Sequence, residues 1–117
     1  MLTLGLTGRI WICTTAQDGR KSFDGLQAVV TSHLSKDPLS GDLYVFRNKR
    51  GDRLKILAWQ GDGFALYLRR LEKGTFRFPT AATAEVSITA TELAMILGGI
   101  DLGSAKRRPR YDRPAAG

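Results

Sequence analysis

The chain has 117 residues, of which 43% are hydrophobic and 25% charged, and its formal net charge is +7. This length suits one domain and excludes two of ordinary size, while the apolar fraction is enough for a core. No apolar run approaches the ~18 residues that a membrane span requires. The single cysteine, Cys13, cannot form an internal disulfide, which fits a reducing compartment. We therefore expect a cytoplasmic domain with no membrane partner.

The first third of the chain predicts one strand and one helix. Arg9–Cys13 carries Ile10, Trp11 and Ile12 in succession and reads as a short buried strand. After a loop, Ser22 is a candidate N-cap, and apolar residues recur every three or four positions from Phe23 to Leu34. This spacing predicts a helix near 22–35, which Asp37-Pro38 ends because a residue before proline avoids the α region.

The centre of the chain predicts an antiparallel meander. The segments Leu43–Arg47, Arg53–Trp59 and Phe64–Leu71 alternate or cluster apolar side chains and are joined by glycine-containing turns. In the second segment, alternation places Arg53 and Lys55 on the face opposite that of the core residues. A further extended segment is expected at Thr75–Phe78, before Pro79.

A capping signal predicts a second helix near 89–99. Thr89 and Glu92 have the spacing of a capping box, in which the two side chains satisfy two backbone amides reciprocally. Gly98-Gly99 suits the helix end, since glycine accepts the left-handed conformation. We therefore predict an α+β fold over residues 1–102, a single small domain with a central antiparallel meander and two packed helices. Residues 103–117 are basic and proline-bearing and predict a mobile tail.

The residue inventory does not favour an enzyme. A structural zinc site needs about four Cys or His ligands, and the chain offers only Cys13 and His33. With one histidine, no Ser–His or Cys–His pairing is indicated. The carboxylates are scattered over turns and a helix start, whereas a metal-dependent nuclease needs a cluster of them. We predict no catalytic residue, no metal and no cofactor, and keep a metal-dependent nuclease as the weakest alternative.

The excess positive charge is concentrated in the centre of the chain. Residues 44–73 hold eight basic and three acidic side chains. A hairpin with cations along one face and at its tip is well shaped to meet phosphates, although such charges also occur on purely solvated faces. The candidate nucleic-acid-binding residues are Arg47, Lys49, Arg50, Arg53, Lys55, Arg69, Arg70 and Lys73, with Arg20 and Lys21 if their loop folds alongside.

Four blocks of the sequence resemble one known family. Asp18–Leu26, Asp37–Gly41, Leu43–Leu57 and Arg69–Phe76, in this order, are similar to the TnpB-type accessory proteins of the insertion-sequence-66 (IS66) family. The similarity runs from about residue 9 to residue 101. It implies a bacterial transposable element in which a separate, large transposase carries out the strand-transfer chemistry. The small protein is then expected to assist DNA transposition, a form of DNA recombination, with no catalytic role.

The first hypothesis is therefore an accessory factor that binds DNA, either transposon ends or any DNA, and assists the transposase and other element-encoded proteins. Phosphate contacts position a protein without specifying sequence, so end-specificity would come mainly from the transposase. The alternative is a protein–protein adaptor, in which the same basic surface binds an acidic face of the transposase without contacting DNA.

Overall fold

A computed structural model describes residues 8–100 of the chain. The elements in chain order are β1 Ile10–Cys13, α1 Phe23–Ser32, β2 Leu43–Arg47, β3 Arg53–Trp59, β4 Phe64–Arg70, β5 Glu85–Ile88 and α2 Ala90–Gly98. The five strands form one sheet in the order β4-β3-β2-β1-β5. The predicted α+β class is confirmed. The predicted domain limit at residue 102 and the predicted basic tail lie outside the described residues.

The sheet is mixed, and the predicted meander is one side of it. β2, β3 and β4 pair antiparallel in succession, as their turns indicate. β1 runs parallel to β2, with Ile10 beside Leu43, because the chain crosses over through α1 before it returns to the sheet. β5 then pairs antiparallel with the free side of β1. β1 therefore lies inside the sheet, between β2 and β5.

Two segments between β4 and α2 differ from the sequence prediction. Thr75–Phe78 forms no strand, so its assignment as an extended sheet segment is wrong. Its role is instead to bury Phe76, whose side chain is fully enclosed and whose backbone N–H donates to the Gly51 carbonyl at 2.7 Å. The strand that the sequence did not predict is β5, which has only four residues.

Each face of the sheet is covered by one helix. Alternation along β2 sends Leu43 and Val45 towards α2, where they join Leu93 and Ile96 in one apolar cluster. The intervening residues Tyr44 and Phe46 point towards α1, where they belong to a second cluster with its buried residues Leu26, Val29 and Val30. The result is a three-layer arrangement with the sheet in the middle. The prediction of two helices packed on the sheet is confirmed.

The two helix starts differ in how they are capped. At α2, the Thr89 hydroxyl accepts from the Glu92 N–H at 3.1 Å and the Glu92 carboxylate accepts from the Thr89 N–H at 2.9 Å. The predicted capping box is thus present, and Gly99 ends the helix in the left-handed conformation. At α1, Ser22 occupies the N-cap position, but its side chain makes no capping hydrogen bond.

Alanine substitution at the two N-cap positions is expected to change the free energy of unfolding by different amounts. Thr89→Ala removes a hydroxyl that satisfies a helix amide, so the free energy of unfolding is expected to fall by about 1 kcal/mol. Ser22→Ala removes no such bond and is expected to change it little. Denaturant unfolding of both variants measures the difference. Equal losses would show that the α2 capping box contributes nothing specific.

Candidate nucleic-acid interface

A basic groove lies on the α1 face of the sheet, where the helix does not reach. The buried residues of α1 cover β1, β2 and the part of β3 around Leu57. Towards the β2–β3 turn, the outer strands remain open and form a groove of about 500 Å³. Its lining residues are Gly19, Arg53, Lys55, Leu68, Arg70 and Glu72. We call this depression the basic groove.

A second depression continues from the basic groove towards the β2–β3 turn. It has a volume of about 300 Å³ and shares Gly19 with the basic groove. The remaining lining residues are Gln17, Asp18, Arg20, Asn48, Lys49 and Arg50. Lys49 and Arg50 are exposed at the turn, and within the described range neither has an ion-pair partner. The predicted hairpin-tip cations therefore lie beside the groove.

Two like charges face each other in the basic groove. The β3–β4 register places Arg53 directly opposite Arg70 on the same face of the sheet. Like charges in such positions destabilise a sheet. Arg70 is partly balanced by Glu72, at 3.3 Å between exposed side chains. The Arg53 side chain has neither a hydrogen bond nor an ion pair among residues 8–100, so the groove has an unbalanced positive charge.

Lys55 stabilises the wall of the groove by internal hydrogen bonds. Its ammonium donates to the carbonyl oxygens of Gly19, at 2.8 Å, and Lys21. These bonds attach the loop before α1 to the middle of β3 and thereby form one wall of the groove. Burial, followed by repulsion from Arg53, lowers the pKa of the Lys55 ammonium. Lys55 is therefore a positioning residue in this structure, although the sequence predicted a phosphate contact.

The loop before α1 is also organised by its own side chains. Arg20 forms an ion pair with Asp18 at 2.7 Å, and the Arg20 backbone N–H donates to the same carboxylate at 2.9 Å. The Lys21 ammonium donates to the Gln17 side-chain oxygen at 3.1 Å. The Gln17 backbone N–H in turn donates to the Arg47 carbonyl at 2.9 Å. Arg20 and Lys21 were predicted to join the candidate site only if their loop folds alongside the hairpin. This condition is met, because the loop lies alongside β2 and β3.

The acid–base behaviour of this loop gives a direct test of its geometry. Hydrogen bonds from the Arg20 side chain and backbone hold the pKa of the Asp18 carboxyl far below its usual range. A lowered carboxyl pKa contributes stability above the ordinary value and loses it as the pH falls towards the folded value. Carboxyl NMR titration should show Asp18 ionised well below the ordinary range. Arg20→Gln should raise this pKa, and Lys21→Gln, which removes only a weak Coulombic contribution, should raise it less. A normal pKa in the native chain would contradict the observed pairing.

Arg47 and Arg69 do not join the groove, since they lie on the α2 face. The Arg69 guanidinium donates to the Tyr67 hydroxyl at 2.8 Å and to the Leu97 carbonyl at 3.0 Å. The Arg47 guanidinium lies over the Phe78 ring at 5.2 Å, with its buried Nε unpaired within the described chain. The expectation that these two arginines line one region of the sheet with Arg53 and Lys55 is therefore wrong. Their side chains support packing on the opposite face.

The remaining predicted cation, Lys73, is exposed in the turn after β4 and lines neither depression. Sequence reasoning in turn missed two groove features. Asn48 arranges the β2–β3 turn by accepting from the Arg53 N–H at 3.0 Å and donating to Asp52 at 2.7 Å, and this bond lowers the pKa of Asp52. Leu68 adds an exposed apolar side chain to the groove. The sequence predicted the turn at Asn48–Gly51 but not these side-chain hydrogen bonds of Asn48.

Two classes of feature are not found in the described part of the chain. Between residues 8 and 100, no three His, Cys, Asp or Glu side chains gather in a way that could hold a metal ion. No helix there is both long and apolar enough to cross a membrane.

Comparison with known proteins identifies the family. The model of the IS66 Orf2-like proteins matches residues 8–107. The chain belongs to the IS66 Orf2-like family. It is 39% identical over 101 residues to Uncharacterized protein y4jC of Sinorhizobium fredii (strain NBRC 101917 / NGR234), covering 86% of each chain. It is 38% identical to Uncharacterized protein y4hO of the same strain, covering 86% of this chain and 88% of that one. No solved structure matches.

Membership confirms the resemblance that the four sequence blocks indicate. The IS66 Orf2-like family supports a transposition-associated accessory protein of an insertion sequence. The family match extends over the whole described sheet, both helices and all residues of the basic groove. The groove therefore belongs to the family domain.

Proposed function

We propose that this protein is a non-catalytic accessory factor of DNA transposition that binds the DNA backbone in its basic groove. It acts in the cytoplasm beside a separate transposase, which carries the strand-transfer chemistry. The observation that carries the proposal is the pair formed by Arg53 and Arg70, which face each other on one face of the sheet. Among residues 8–100, Glu72 is the only acid that forms an ion pair with either of them. A phosphate between the two guanidinium groups would offset their repulsion and accept charge-assisted hydrogen bonds.

The surroundings of this pair support a nucleic-acid backbone as the ligand. Lys49 and Arg50 are exposed beside the continuing depression, so a strand that lies in the groove passes further cations. None of these contacts reads a base edge in a duplex, so the binding is expected to be largely independent of sequence.

Charge reversal in the groove tests the proposal. Arg53→Glu combined with Arg70→Glu should weaken binding to labelled DNA and reduce the salt dependence of the affinity. Each phosphate contact that is lost should lower the slope of log affinity against log salt by about 0.9 for duplex DNA. Fluorescence anisotropy over a range of salt concentrations, with element-end DNA and unrelated DNA of equal length, measures both quantities.

Arg9→Glu is the matched control, because Arg9 is exposed and lies just before β1, at the end of the sheet away from the groove. It changes the net charge per site equally and should leave most of the affinity and slope in place. If the groove variant binds DNA as the native chain does, the groove is not the DNA site. Mixing the protein with the transposase in the absence of DNA then tests the adaptor function directly.

A further inference from the structure

The outer edge of β4 is an open pairing surface. β4 has seven residues, runs in continuous register with β3, contains no proline and is the last strand on its side of the sheet. The described segment that follows β4 turns back to the β2–β3 turn, where the Phe76 N–H donates to the Gly51 carbonyl, and does not pair with this edge. Proteins usually blunt such an edge with proline, a bulge, charged side chains or a covering segment. Among the described residues, β4 carries charge only at its end, at Arg69 and Arg70, and has none of the other devices.

The ladder shows which backbone groups of β4 point outward. The Gln60 N–H donates to the Gly63 carbonyl, and the Leu71 N–H donates to the Asp52 carbonyl. Because bonded and non-bonded pairs alternate in an antiparallel ladder, the bonded positions of β4 are the odd-numbered ones. The N–H and C=O groups that face away from β3 therefore belong to Phe64, Leu66, Leu68 and Arg70.

The side chains at these outward positions are largely apolar. Phe64 and Leu66 are half-buried, and Leu68 has 58% of its surface exposed, the largest value among the exposed large apolar side chains. All three lie on the α1 face with Arg70 at the end of the row. A partner strand would thus bond to four residues and cover an apolar strip at the same time.

We propose that this edge pairs antiparallel with β4 of a second copy of the chain, about a two-fold axis beside Tyr67, to form one ten-stranded sheet. In this register, Leu66 lies opposite Leu68 of the copy, and Phe64 lies opposite Arg70 of the copy. The apolar strip is then covered by itself, and each guanidinium meets an aromatic ring, which is a favourable pair. Registers that bring Arg70 opposite Arg70 are disfavoured because like charges would be neighbours.

This register favours an identical strand, rather than an unrelated peptide, as the partner of the β4 edge. The row Phe64, Leu66, Leu68 and Arg70 is complementary to its own reverse, so the surface requires no second sequence. The two-fold axis is perpendicular to the sheet, and the two basic grooves therefore open on the same side. The inference concerns assembly alone and does not depend on what the grooves bind.

Mass measurements on the full chain, without DNA, test the assembly. Sedimentation velocity over a dilution series should show the native chain as a dimer. Leu68→Lys places a cation inside the proposed contact and should halve the observed mass. Leu39→Lys is the matched control, since Leu39 has 53% of its surface exposed but lies in the loop before β2, and it should remain dimeric. A native chain that is monomeric throughout, or a dimer unaffected by Leu68→Lys, would overturn the proposal.

Two further variants test the edge and its register. Leu68→Pro removes an N–H that makes no bond within the sheet, so the fold should persist, as circular dichroism can verify, while the dimer is lost. Tyr67→Cys places two thiols at a non-bonded pair, where Cα atoms lie about 4.5 Å apart, within the range that a disulfide spans. Oxidation should yield a covalent dimer from Tyr67→Cys and none from Ala65→Cys. The reverse result would overturn the proposed register.

Discussion

Replacing Phe76 with alanine is expected to lower the free energy of unfolding by about 3–5 kcal/mol, the range for large aromatic residues deleted from a core. Phe76 is fully buried among residues of the sheet and α2, although it belongs to no strand or helix. Its removal leaves a cavity that strands cannot close, because the surrounding side chains are held by the β-ladder. Denaturant unfolding with a constant m-value measures the loss.

Phe78→Ala is the control for this substitution. Phe78 is only half-buried, beside the Arg47 guanidinium, so it should lose clearly less stability. Similar losses for the two variants would mean that the 75–78 segment contributes as a whole rather than through one enclosed ring. A change below about 1 kcal/mol for Phe76→Ala would contradict its enclosure, since that is the size of an average single substitution.

The second large effect is expected at Lys55. Lys55→Met keeps much of the side-chain volume but leaves the Gly19 and Lys21 carbonyl oxygens without their donor. Hydrogen bonds that involve a charged group contribute about 1.5–3 kcal/mol, so the free energy of unfolding should fall by an amount of this order. The wall of the basic groove should loosen, and DNA affinity should fall with it. Thermal or denaturant unfolding and the anisotropy titration measure the two effects.

Arg53→Met is the matched variant, because it removes the same charge from the same strand and face. The Arg53 side chain has no hydrogen-bond partner in the described range, so stability should be retained or slightly increased while DNA affinity falls. The two variants thus separate a residue that builds the site from a residue that contacts the ligand. If Lys55→Met is as stable as the native chain, its contacts with the loop are not structural.

Local sequence signals predicted the elements whose formation depends on neighbours in the chain. The α2 helix was predicted at its observed position because Thr89, Glu92 and Gly99 are all close in sequence and determine both ends of the helix. The meander was predicted because its turns join strands of alternating pattern. In these regions, the local preference and the tertiary structure agree.

The two segments that the sequence did not predict correctly depend on contacts between distant parts of the chain. The four residues of β5 alternate polar and apolar side chains, but so short a run predicts no strand alone, and they form one because the free side of β1 pairs with them. At Thr75–Phe78, the alternation that predicts a strand instead places one ring in the core. Short apolar runs do not distinguish a ladder strand from an isolated buried segment.

The same reason limits prediction of the site. The sequence predicted a cluster of cations, but which of them are available to a ligand depends on the internal acceptors around each side chain. Arg69 donates to the Leu97 carbonyl, and Lys55 donates to the Gly19 carbonyl. Both partners are distant in the chain, so neither could be predicted from composition or spacing. Arg53 and Arg70 became the centre of the candidate site through the register of β3 and β4, which placed them opposite each other.

The position of β1 also affects how the chain folds. β1 is near the beginning of the described chain, yet one of its neighbours, β5, is near the end, so their pairing has a high contact order. The β2–β4 meander consists of local contacts and can form early, whereas pairing β1 with β5 must close a loop that contains most of the chain. Closing such a loop costs conformational entropy before the new contacts form, and this slows folding. During synthesis, β1 therefore has one unpaired side until β5 is complete.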